Sequence, residues 1–165
     1  MRTFLFFLLL FLGFRVFSQN FSQYENIPLN TATDYRKIEP QISLACDLIL
    51  STPVEQKNRN RKDAISFMMK WMGGTSDYSF MPDETLKKII NNDKELLSVY
   101  CAGLAKYALQ KGKGVDRNEM KYNAYLVLAN YCEIPENNLK PSGEVKKLIE
   151  AKNKNQLKEF LDKKK

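Results

Sequence analysis

Two pairs of neighbouring acids, Asp83/Glu84 and Glu133/Glu136, have the side chains best suited to catalysis in this sequence. Glycoside cleavage needs two carboxylates set apart across a sugar, one of them held protonated. Neighbouring acids at a helix start also serve the helix dipole, and nothing in the sequence brings a particular pair together across a cleft. Histidine is absent from all 165 residues. Its absence removes the usual general base near neutral pH, excludes Ser-His-Asp and Cys-His catalysis and takes away the commonest ligand of catalytic zinc. A hydrolase on this chain would have to work with carboxylates or a lysine base. No residue is assigned a catalytic role, and no metal or cofactor is expected.

Lys70-Trp71-Met72-Gly73-Gly74-Thr75 and Lys111-Gly112-Lys113-Gly114 have the composition of phosphate loops. Both lack the G-x-x-x-x-G-K-[ST] spacing and read as helix C-termini. Trp71, Tyr78 and Phe80 form the one aromatic cluster that suggests a binding site, a stacking platform for sugar or peptide; the competing reading is closure of a hydrophobic core. Cys46, Cys101 and Cys132 each lie among apolar residues and read as buried small side chains. If one bridge forms, Cys101–Cys132 is the expected pair, because their helices are expected to be neighbours.

Charge is unevenly placed. The formal net charge is +7, and residues 19–139 hold equal numbers of acids and bases, while residues 140–165 hold nine lysines against four acids. Lys146, Lys147, Lys154 and Lys158 are therefore candidate contacts for a polyanionic surface such as anionic lipid, lipopolysaccharide or acidic glycan, through attraction that salt screens. The alternative is a solvated helix face ending in a frayed tail, 163–165. No sequence-specific nucleic-acid contact is expected.

Helical periodicity dominates the elements that must hold these residues. Ile42, Ala45, Cys46 and Ile49 form a stripe ended by Thr52-Pro53, with Pro40 suited to the first turn. Ala64, Ile65, Met68, Met69 and Met72 mark a second helix, with Gly73-Gly74 as its expected terminator. Pro82 opens a short helix through Leu86, Ile89 and Ile90, and Asn91-Asn92-Asp93 breaks and recaps the chain. A helix over about 94–110 follows. Asp116 with Glu119 resembles a capping box and starts a helix to Cys132. Ser142 caps the next, with Val145, Leu148 and Ile149 inward, and Leu157, Phe160 and Leu161 close the chain. Residues 143–162 are readable as one helix or two. No segment alternates convincingly with period two. The expected fold is all-α: one domain of about six or seven helices, packed as irregular helix hairpins over 40–162, after a flexible lead-in over 19–39. No fixed repeat period supports a solenoid.

The first eighteen residues have the order of a secretory signal peptide. Arg2 precedes nine consecutive apolar residues, Phe4–Leu12, and Val16-Phe17-Ser18 leads to a cut before Gln19. Spanning a bilayer takes about 20 apolar residues, and Arg15 interrupts the run; a retained anchor is the competing reading. The mature chain is expected in the periplasm or outside the cell, without a membrane span.

Thr52-Pro53-Val54, followed by Lys70-Trp71-Met72-Gly73-Gly74-Thr75 with Tyr78 and Phe80, resembles a family of small exported helical proteins of Bacteroidota. The Val16-Phe17-Ser18-Gln19 ending is similar to theirs, and the resemblance runs through most of residues 40–162. That family has no assigned activity, so the resemblance implies export and a helical fold and transfers no functional residue. Three functions remain in competition. The first is a non-enzymatic binding or scaffold module with an envelope partner. The others are a carboxylate-dependent envelope glycan hydrolase and an anionic-surface binder acting through the lysine-rich end.

Overall fold

Side-chain caps set most of the helix starts along residues 19–163, the part of the chain that the computed structural model describes. The leader reading over 1–18 and the last two lysines lie outside these residues. A 3-10 turn, Phe21–Tyr24, comes first, and α1 (Ala32–Lys37) and α2 (Glu39–Ser51) follow. Then come α3 (Arg59–Gly74), α4 (Glu84–Ile90), α5 (Lys94–Lys111), α6 (Arg117–Glu133), a 3-10 turn at Pro135–Asn137, α7 (Gly143–Asn153) and α8 (Leu157–Asp162). Asn58, Asp83, Asp93, Asp116 and Ser142 each accept a backbone N–H of the helix they precede, which satisfies donors that the first turn leaves over. Asp116 supplies only half of the expected capping box, because Glu119 turns to the Tyr107 hydroxyl instead. The reciprocal box belongs to Thr31 and Asp34 at α1.

No strand occurs among the described residues, and the fold is all-α. Its centre is α5, where ten of eighteen residues are buried, from Leu96 to Ala108. A helix covered on most sides needs neighbours all round it. α2 and α6 pack on it most extensively; α3 packs on α2 and also reaches α5, and α7 packs on α6. The pairs α2/α3, α5/α6 and α6/α7 are consecutive in sequence, which is the hairpin packing the sequence suggests. Gly103 permits a close approach of α5 to α6. A Cβ built there would lie 3.1 Å from the Ala124 Cα and 3.2 Å from the Val127 Cβ.

Three expectations are corrected or decided. The segment 19–39, read as a flexible lead-in, is packed. Phe21 is buried, Tyr24 stacks on Phe67 at 4.6 Å, and the Asn60 side chain accepts the Phe21 N–H while donating to the Gln19 carbonyl, both at 2.8 Å. Phe21, Tyr24, Tyr35 and Ile38 anchor the stretch to the core, and α1 raises the count to eight α-helices among the described residues. Gly73-Gly74 does end α3, but as its last two residues and without a left-handed turn: the cap is Thr75, whose N–H bonds to the Trp71 carbonyl at 2.9 Å. Gly74 is small because Tyr35 lies over it, its hydroxyl 1.9 Å from where a Cβ would sit. Residues 143–162 form two helices, separated at Asn155, whose φ of 57° is left-handed.

Gly103→Val overfills the α5/α6 contact. Urea denaturation should show a loss of about 1–3 kcal/mol, with the helical circular-dichroism signature retained.

Candidate functional site

Asp83 joins three parts of the fold. Its Oδ1 accepts the Leu86 N–H at 2.8 Å, capping α4, and the Tyr125 hydroxyl at 2.9 Å; its Oδ2 accepts Lys121 Nζ at 2.8 Å. Lys121 and Tyr125 lie one turn apart on α6 and so share a face. Burial raises the Asp83 carboxyl, but the bonds from Lys121, the Leu86 N–H and Tyr125 outweigh it and hold the group below its usual range. Tyr125 packs on Tyr100 with ring centres 4.8 Å apart. Burial raises both phenols, so neither ionises near neutral pH.

Beside this junction, between the start of α4, the first half of α6 and α8, lies a cleft of about 480 Å³. Asp83, Lys121 and Tyr125 form one wall, Asp116, Asn118 and Glu119 the α6 end, and Lys158, Leu161 and Asp162 the α8 side, with Tyr122 between them. The carboxylates are already engaged. Asp116 Oδ1 accepts the Glu119 N–H at 2.8 Å, and Glu119 accepts the Tyr107 hydroxyl and lies 3.7 Å from Lys111 Nζ. The cleft can recognise hydroxyl, amide and apolar groups.

The sequence-derived candidates fall elsewhere or into other roles. Trp71, Tyr78 and Phe80 do come together, with ring centres 5.6–6.0 Å apart. Trp71 is fully buried, and its Nε1 donates to the Tyr35 carbonyl at 3.1 Å. Trp71 therefore closes the core, with Tyr78 and Phe80 half-buried beside it. Asp77 fastens its loop: Arg36 Nε and Nη2 reach it at 2.7 and 3.1 Å, and Lys113 Nζ at 3.0 Å. The bonds from Arg36 and then Lys113 hold its carboxyl down to about 2. A second, apolar groove of about 250 Å³ lies where Phe80 meets Met69, Met72, Leu97 and Leu104.

Among the lysines, Lys147 pairs with Glu144 at 2.8 Å and Lys154 with Glu150 at 2.6 Å. Lys146 is exposed on α7, and Lys158 lines the cleft. Glu144 and Glu150 are already counted against the nine lysines, so the pairings leave the positive excess of 140–165 in place. Of the acid pairs, Glu84 holds Lys87 at 2.7 Å, and Glu133 is bound by Lys152 and Asn153. Neither pair straddles a cleft. The three cysteines are buried free thiols, and burial pushes each up to about 12. The Cys101–Cys132 bridge does not form, although α5 and α6 are neighbours. Cys132 feels the charge of Asp93 at the start of α5, whereas Cys101 lies roughly two turns further along that helix. Among the described residues no group of His, Cys, Asp or Glu is arranged to hold a metal ion, and no helix is long and apolar enough to cross a membrane.

Sequence reasoning found Asp83 and Asp116 as helix starts but missed the cleft they border. Lys121 and Tyr125 carried a local signal in their one-turn spacing, but their partner lies about forty positions away.

Asp83→Ala removes a cap and the Lys121 and Tyr125 bonds together, and thermal denaturation should show a loss of about 1–3 kcal/mol. For Asp77 the folded carboxyl is the more acidic. Its contribution is full above its ordinary value of 3.8 and fades as pH falls through about 2. Asp77→Asn should therefore flatten the acid limb of the stability profile over that window, measured by denaturant midpoints at stepped pH.

No protein-family model, curated protein or solved structure matches the chain.

Proposed function

We propose that this chain is an exported helical binding module without catalytic activity, released into the periplasm or beyond the cell after cleavage near Ser18/Gln19. Export rests on the order of the first eighteen residues, with a basic start, nine apolar residues and a cut-site pattern. The resemblance to small exported proteins of Bacteroidota supports the same reading, and we place the chain with that family on those motifs. One observation carries the binding function: the α4–α6–α8 cleft has ligand-sized volume, while its Asp83 is held ionised by structural bonds. Bonded to Lys121, Tyr125 and the Leu86 N–H, that carboxyl favours recognition over proton donation.

The competing hydrolase reading requires one cleft carboxyl held protonated and a second one able to react. Incubation of the purified chain with envelope glycans should release no new reducing ends, and steady release would overturn the binding reading. The full chain expressed in a Bacteroidota host should be recovered outside the cytoplasm beginning at Gln19. Recovery from the cytosol with Met1 intact, read by mass spectrometry, would overturn export.

A further inference from the structure

We infer that the α4–α6–α8 cleft binds an uncharged saccharide of one or two rings. This inference rests on the binding reading above and names its ligand class. The volume of about 480 Å³ fits a ligand of that size. Tyr122 keeps 37% of its surface exposed although it belongs to a helix packed on two sides, and it lies in the cleft with Leu161. An exposed phenol ring beside an aliphatic side chain suits the C–H face of a sugar ring. Around this apolar patch stand donors and acceptors in mixture: the Asp116 carboxylate, the Asn118 amide and the Lys158 ammonium, all on exposed residues. A sugar hydroxyl both donates and accepts, and its bonds to charged groups are among the stronger hydrogen bonds.

The mixed charge of the lining favours a neutral ligand. An anionic ligand would enter beside Asp83, Asp116, Glu119 and Asp162, and a small cation would meet Lys121, Lys158 and the positive N-terminal end of the seventeen-residue α6. A neutral polyol meets neither repulsion and can use both signs. The apolar groove by Met69 does not compete as a sugar site, because it offers almost no polar atoms.

The test is an amide-resolved NMR titration of the chain from Gln19 onward, which contains every described helix. Maltose, cellobiose and N,N′-diacetylchitobiose serve as probes, with glucuronate and spermidine as charged controls. At least one neutral disaccharide should give saturable shifts clustered at Asn118, Tyr122 and Leu161. Tyr122→Ala should weaken its binding about tenfold or more, equivalent to roughly 1.4 kcal/mol, with an unchanged melting temperature. Lys158→Gln, at an exposed position on the opposite wall, should weaken it without altering the fold. Saturation by spermidine or glucuronate alone overturns the saccharide assignment and leaves a binding module. Absence of saturation by every probe, or binding unchanged in both variants, also overturns the assignment. Saturation accompanied by cleavage of the disaccharide upholds the saccharide and overturns the non-catalytic reading.

Discussion

Because α5 is enclosed along most of its circumference, the rest of the domain is organised by what it needs covered. Ser98, Val99, Ala102 and Gly103 are buried along with Leu104 and Ala108, so an ordinary one-sided stripe does not describe this helix. Small residues on it let α2 and α6 come close, and close contact gains dispersion energy that a looser fit would forfeit. Once α2 and α6 are fixed, α3 packs on α2 and α7 on α6. The first half of α6 is left partly uncovered beside α4 and α8, and the cleft occupies that position.

Loops are held to this frame by aspartates. Asp77 ties the connection after α3 to Arg36 before α2 and to Lys113 after α5, and Asp83 ties the start of α4 to the middle of α6. Between these two ties run Tyr78 and Phe80, which pack against Trp71. The same connection therefore closes the core on one side and supplies a wall of the cleft on the other. Arg61 is a buried counterpart: it is 2% exposed and reaches Glu95 at 2.5 Å, linking α3 to α5. Such a pair contributes less to stability than its geometry suggests, since Arg61 loses its solvation while Glu95 keeps 35% of its side chain exposed, but it fixes how the two helices meet.

What the sequence made readable was local. Asp93, Asp116 and Ser142 announce helix starts because a cap acts within three residues of itself, and the Ile42–Ile49 stripe marks its buried face because helical period is a short-range property. The burial of Phe21 was hidden, since its partners Phe67 and Asn60 lie about forty residues away and the flanking residues are polar. The aromatic cluster was readable as a cluster; whether Trp71 faced water depended on the Tyr35 carbonyl that receives its N–H. The cleft was not readable at all, because it arises where three helices from distant parts of the chain stop short of one another.

The sealed thiols have a consequence for how the chain matures. Cys46, Cys101 and Cys132 sit in the interior with ionisation suppressed, and the thiolate is the form that attacks disulfides and oxidants. No crosslink has to be made for the helices to assemble, and none has to be protected afterwards. Once folded, the chain therefore keeps its thiols out of reach of disulfide exchange in reducing and oxidising surroundings alike.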